Sequence, residues 1–340
     1  MEIRMRQQTW IQSGVKRVVK LIPGKDERGI LDPKLLKLMQ EGAKEGQEEA
    51  DGQIMEQEIF IDALDRRIPV TVLCKEGKKE NRAALVYFHG GGFRTGSRKD
   101  VHALLRRLCG LADAVIFNVE YRLAPSYWYP CATDDAFESV KYIYRHAECF
   151  GIDREKIAVS GDSAGGNLAA ACSRRDRNFR TKMIRMQLLI YPVLALFDPE
   201  GMPGYSYSLD AYEYDDKYRN LIEPHIEGMR RMLTEWNLYT KTAEEAQLPD
   251  VSPLKEKHFG AFPKTVIYCA QYDYITQQCR TYANYLARAG VDTSLVIYMG
   301  TMHGFLNAYG LCDQTEDLIG EMAKALMDMK GEKSHEGIDS

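Results

Sequence analysis

Hydrophobic and polar positions change period repeatedly along the chain. Residues 83–88, 114–119 and 186–191 are short, nearly unbroken apolar runs, the pattern of buried strands. Residues 264–270, 157–160 and 295–298 read as further strands, and 68–74 as a strand that alternates apolar with polar positions. Between them lie helical spacings at 101–111, 132–149, 164–174, 276–289 and 316–329. Asp134 and Asp135 stand near the positive end of the second of these helices, and Gly290 closes the fourth. Such alternation predicts a mostly parallel sheet with helices on both faces, and its active site at the carboxyl ends of the strands.

Two segments break the alternation. Residues 1–50 carry Trp10, Ile11, Val15, Val18, Val19 and Ile22 at helical spacing, and Asp32-Pro33 starts a second expected helix. Residues 195–250 hold a tyrosine- and acid-rich stretch followed by apolar periodicity over 221–238. The expected organisation is N-terminal cap helices (1–50), a core in two parts (51–194 and 251–330), a cap insertion (195–250) and a polar tail (331–340). The first helix has a basic, amphipathic face, and its narrow apolar stripe favours packing into the cap over a membrane surface.

Composition narrows the functional classes. With 45 basic and 49 acidic residues the net charge is −4, and no clustered basic surface suggests nucleic acid as a partner. No apolar run approaches the roughly 20 residues of a membrane span, and the first residues lack a secretory h-region. The eight cysteines form no C-x-x-C pair and no zinc-like spacing, as expected of reduced thiols in a cytoplasmic protein with no metal or organic cofactor. A homo-oligomer is compatible with this composition.

The chemistry lies in two glycine-rich motifs, each directly after an apolar strand. Gly161-Asp162-Ser163-Ala164-Gly165 fits G-x-S-x-G, the sharp strand-to-helix turn that presents a nucleophilic serine. His89-Gly90-Gly91-Gly92 fits the loop that offers backbone N–H groups to an oxyanion. A serine needs a base, and the base needs a carboxylate to hold its tautomer, in the chain order Ser, Asp or Glu, His. The strand at 264–270 leads to Asp273, and the next strand leads to His303, which makes them the candidate partners of Ser163. His102, His146, His225, His258 and His335 occupy helical, cap, loop or tail positions and are read as structural or surface residues. Gly91, Gly92 and Ala164 are the candidate oxyanion donors, Ala164 because its N–H follows the nucleophile at a helix start.

These residues resemble the hormone-sensitive-lipase-like branch of the α/β-hydrolases. The resemblance is carried by HGGGF at 89–93, EYRLAP at 120–125, GDSAGGN at 161–167, LIYP at 189–192, SPL at 252–254, YD at 272–273 and HGF at 303–305. It implies an α/β-hydrolase fold with a helical cap, Ser163 as nucleophile, His303 as general base and acid, and Asp273 as its orienting acid. It also implies Gly91, Gly92 and Ala164 as the oxyanion hole. One departure is the run after Asp273, where the family often reads D-P-L-x-D-E and this chain has Gln277 at the second acid. The expected function is a serine carboxylesterase acting on short acyl, acetyl-type, small-molecule esters. An amidase, formamidase or lipase on the same scaffold is the alternative, and a non-catalytic binding protein is disfavoured by the intact set of Ser163, Asp273 and His303.

Overall fold

The computed structural model describes residues 16–20 (backbone course only), 53–63, 66–77, 80–214, 216–310 and 313–329. Nine strands, β1 (Lys16–Lys20), β2 (Ile54–Ala63), β3 (Arg66–Lys75), β4 (Arg82–Phe88), β5 (Val115–Val119), β6 (Ile152–Asp162), β7 (Met186–Ile190), β8 (Lys264–Tyr272) and β9 (Thr293–Met302), form one sheet. Their spatial order is β1-β9-β8-β7-β6-β4-β5-β3-β2. The β2–β3 and β3–β5 pairs are antiparallel and the other six are parallel. The helices are α1 (His102–Ala112), α2 (Cys131–Arg145), α3 (Ala164–Phe179), α4 (Arg219–Thr234), α5 (Ala243–Ala246), α6 (Ile275–Arg288) and α7 (Asp313–Met329).

Central strands read as continuous apolar runs because both faces are covered: every residue of β4, β5 and β7 is buried. The two-residue period of a strand then divides its side chains between two cores. Ala84, Val86 and Phe88 join Phe137, Leu168 and Tyr282 from α2, α3 and α6. Ala83, Leu85 and Tyr87 join Leu104 and Leu108 of α1 with Leu318 and Met322 of α7. The insertion belongs to the first core through Tyr212, Ile222, Ile226 and Leu233.

Strand β4 lies between β5 and β6, so the chain leaves it first to one side and then to the other. That order opens a crevice at the carboxyl ends of β4 and β6, where both glycine-rich motifs sit.

The N-terminal expectation requires correction. Residues 16–20 form strand β1, parallel to β9 with Val18 opposite Val296, and not part of a cap helix. The edge of β9 offers unpaired backbone groups, and the β-branched pair Val18-Val19 suits that ladder better than a helix. The rest of 1–50, including the Asp32-Pro33 start, and the tail 331–340 lie outside the described residues. Strand β2 has no strand period in its sequence: Ile54, Met55, Ile59, Phe60 and Ile61 neither alternate with polar residues nor form one unbroken run, and most of the strand is exposed. In the insertion the apolar period is helical to Thr234, and Trp236–Leu238 is a separate 3-10 turn.

Candidate active site

Ser163 sits between β6 and α3 with φ +54° and ψ −113°, a backbone conformation that costs an L-residue about 1–3 kcal/mol. The turn is held from several sides. The Ser163 N–H donates to the Ile190 carbonyl (2.9 Å), and its carbonyl accepts from Asn167 and Val193 (3.1 Å each). The Asn167 side chain donates onward to the carbonyls of Val193 (2.7 Å) and Val251 (2.8 Å). Glycine is required around the turn by space: a Cβ on Gly161 or Gly165 would collide with the carbonyl oxygen of Phe88.

The strained turn brings Ser163 Oγ to 2.9 Å from His303 Nε2. The other ring nitrogen, Nδ1, lies 2.7 Å from Asp273 Oδ2. Asp273 is fully buried, and its second oxygen accepts the N–H of Ile275 (3.0 Å) at the start of α6, where the helix dipole favours negative charge. Tyr191 packs edge-on against the His303 ring, centroids 4.8 Å apart, which limits its rotation. Three residues far apart in sequence therefore form one continuous hydrogen-bonded line.

The first glycine motif is tied to the serine turn through the Gly90 N–H and Asp162. Gly91 (φ +119°) and Gly92 (φ +59°) adopt conformations that L side chains rarely hold. A Cβ on Gly91 would also collide with the Thr95 carbonyl. No described residue accepts a hydrogen bond from the N–H of Gly91 or Gly92. Ala164, the first residue of α3, lies at the positive end of that helix.

Asp162 is a site residue that sequence reasoning passed over. Its Oδ1 accepts both the Tyr87 hydroxyl and the Gly90 N–H, each at 2.9 Å, so one carboxylate joins the serine turn to the oxyanion loop. Burial raises its pKa, against the opposing effects of Tyr87, His89, the Gly90 N–H and His303. The only sequence signal for it was its place inside G-D-S. His89 of the same loop stacks on Tyr121 at 4.3 Å, and the Tyr121 hydroxyl donates to the His89 carbonyl (2.6 Å).

Of the histidines set aside, His102 meets Glu56 (3.2 Å) and His146 meets the Tyr142 carbonyl (2.8 Å). His258 is exposed, and His335 lies outside the described residues. His225 differs from these. On α4, its pKa is lowered by burial, with Asp273 acting to raise it and His303 to lower it further.

Among the described residues no group of three or more His, Cys, Asp or Glu is placed to hold a metal ion, and no helix is long and apolar enough to cross a membrane. The described cysteines Cys74, Cys109, Cys131, Cys149, Cys172, Cys269 and Cys279 are free thiols.

Comparison with known proteins identifies the family. A family described as alpha/beta hydrolase fold matches residues 85–307. An arylesterase of Saccharolobus solfataricus is 31% identical over 250 residues, 73% of this chain and 76% of the relative. An ethyl acetate hydrolase of Pseudomonas putida is 29% identical over 248 residues, 72% of each. The crystal structure of EstE1, a thermophilic carboxylesterase cloned from a metagenomic library, superposes with a TM-score of 0.73 at 31% identity, over 87% of this chain and 96% of that one. The chain belongs to this α/β-hydrolase family, among its esterases.

Proposed function

We propose that the chain is a serine carboxylesterase that hydrolyses short-chain, acetyl-type esters through an acyl-enzyme on Ser163. The observation that carries the reading is the line from Ser163 Oγ through His303 (2.9 and 2.7 Å) to buried Asp273. In this reading His303 Nε2 takes the hydroxyl proton as Ser163 Oγ attacks the ester carbonyl. Charge developing on the carbonyl oxygen is met by the N–H groups of Gly91, Gly92 and Ala164. His303 then gives its proton to the leaving alkoxide, the alcohol departs, and a water activated by the same nitrogen hydrolyses the acyl-enzyme. Asp273 keeps the imidazole in the tautomer that leaves Nε2 free to accept.

A short acyl group is supported by what stands over the oxyanion loop. Leu238 of the insertion comes within 3.9 Å of where a Gly92 Cβ would be, and Phe93 is stacked on Tyr239 with centroids 4.1 Å apart. The acetate ester in the name of the Pseudomonas relative points the same way. We further assign 195–250 as cap and 51–194 with 251–330 as core, and place the protein in the cytoplasm, where its free thiols stay reduced.

The test is a series of p-nitrophenyl esters from acetate to long acyl chains, with matched anilides, on the wild type and Ser163→Ala. Fast turnover of acetate and butyrate, lost about 10⁴-fold or more in Ser163→Ala, is expected. Full activity in Ser163→Ala would overturn the assignment, and faster cleavage of anilides or long-chain esters would favour an amidase or a lipase.

A further inference from the structure

The tyrosine-rich part of the insertion is laced onto the loop that carries Asp273. The Pro203 carbonyl accepts the Tyr285 hydroxyl (2.6 Å) and the Gly204 carbonyl accepts Thr281 (3.3 Å), both donors being on α6. Tyr207 packs edge-on against Tyr274, centroids 5.2 Å apart. Next, the Tyr212 hydroxyl donates to the carbonyl oxygen of Asp273 itself (3.1 Å). The Glu213 carbonyl then accepts the Tyr272 hydroxyl (3.1 Å) and the Gln271 amide (3.4 Å). The segment thus grips the chain before, at and after the acid.

The direction of the Asp273 carboxylate depends on how its own peptide unit is turned. That carbonyl has two partners, the Thr276 N–H (3.1 Å) inside the loop and the Tyr212 hydroxyl from outside it. Tyr212 is 7% exposed, and burial pushes its hydroxyl pKa up, so it remains a neutral donor. Gln277, in the first turn of α6, lies near enough to the same hydroxyl to act against that rise. Gln277 occupies the position where the family resemblance expects a second acid. A carboxylate there would set a negative charge near the Tyr212 hydroxyl, while the amide is a neutral group.

We propose that Tyr212 is a positioning residue of this hydrolase, acting through Asp273: the insertion that caps the sheet also sets the geometry of the acid–histidine pair. The inference rests on the assignment of Asp273 and His303 made above. It gives the insertion a part in turnover through the acid loop.

Tyr212→Phe deletes the hydroxyl and keeps the ring. With p-nitrophenyl acetate and the full chain, kcat is expected to fall about three- to tenfold, the worth of one hydrogen bond, at unchanged KM. Tyr214→Phe is the control, because its hydroxyl bonds Glu223 within the insertion and not the acid loop. In an Asp273→Asn background, Tyr212→Phe should have no further effect, since the residue it acts through is already disabled. Gln277→Leu, which removes only the amide behind the hydroxyl, should lower kcat in the same direction by less, and it carries the test should Tyr212→Phe fail to fold. Unchanged kcat in both Tyr212→Phe and Gln277→Leu, a loss confined to KM, or an equal further loss in the Asp273→Asn background would overturn the proposal. A wild type inert toward every ester would instead overturn the assignment of the site.

Discussion

Asp273→Asn tests the line of three residues at its buried end, and the structure sets the size of the effect. The wild-type carboxylate accepts twice, from His303 Nδ1 (2.7 Å) and from the Ile275 N–H (3.0 Å). Asparagine offers one acceptor and one donor in that space. If its oxygen stays on Ile275, its NH₂ group faces Nδ1. The imidazole proton then moves to Nε2 and points at Ser163, which loses its base. If the amide flips, the donor meets the buried Ile275 N–H, which goes unpaired at a cost of about 1–3 kcal/mol. In the flipped form a bond to charge is also lost when the imidazolium forms, about 1.5–3 kcal/mol more. Together these predict a fall in acylation rate of about 10²- to 10⁴-fold at little change in KM. Single-turnover release of p-nitrophenol measures it, with circular dichroism confirming the fold. A loss below about tenfold in a folded variant would refute the role given to Asp273.

Two further substitutions test the scaffold under the site. Asn167→Ala leaves the buried carbonyls of Val193 and Val251 without their side-chain donor, and should cost about 2–4 kcal/mol in urea unfolding; a cost below about 1 kcal/mol would contradict the bracing role given to this side chain. Asp162→Asn preserves an oxygen that can accept from Tyr87 and Gly90 but removes a charge whose burial raises the carboxyl pKa. A raised folded-state pKa contributes stability that is present below the unfolded value and lost as pH rises through the folded one. The wild type carries that loss and the variant does not. The difference in Tm, variant minus wild type, should therefore grow more positive from about pH 4 to 8, and a constant or shrinking difference would argue against a buried, ionising Asp162.

Much of the frame was legible because its signals are local. The buried runs of β4, β5 and β7 and the helices between them show in residue period alone, and a parallel sheet follows from their alternation. The Ser163 turn and the first glycine motif were legible for a steric reason: only glycine fits where Gly161 and Gly165 press on the Phe88 carbonyl and Gly91 on the Thr95 carbonyl. Elsewhere the period misled or was silent. Val18 and Val19 have helical spacing, but the open edge of β9 draws residues 16–20 into a strand. The exposed β2 owes its place to its long antiparallel pairing with β3, and its large apolar residues fall in two groups, Ile54-Met55 and Ile59–Ile61, without a strand period. The tyrosines of the insertion offered composition without geometry, since an aromatic-rich stretch reads the same whether it lies over a pocket or bonds a neighbouring loop.

The same distinction explains why the site divides as it does. The groups proposed to do the chemistry sit on or beside turns whose backbone is over-determined: Ser163 is fixed by Ile190, Val193 and Asn167, and the oxyanion loop is tied at Gly90 by Asp162. Such positions tolerate few residue types, so they appear as motifs. The group proposed to tune the chemistry, Tyr212, acts on Asp273 through a hydroxyl-to-carbonyl bond. A carbonyl accepts from any donor that reaches it, so these contacts impose a distance and leave the residue type and spacing free. On the proposed reading, the packing of 195–250 against the acid loop is where such tuning enters. Exchanges within that segment should alter rate and acyl range while the Ser163–His303–Asp273 line stays as it is.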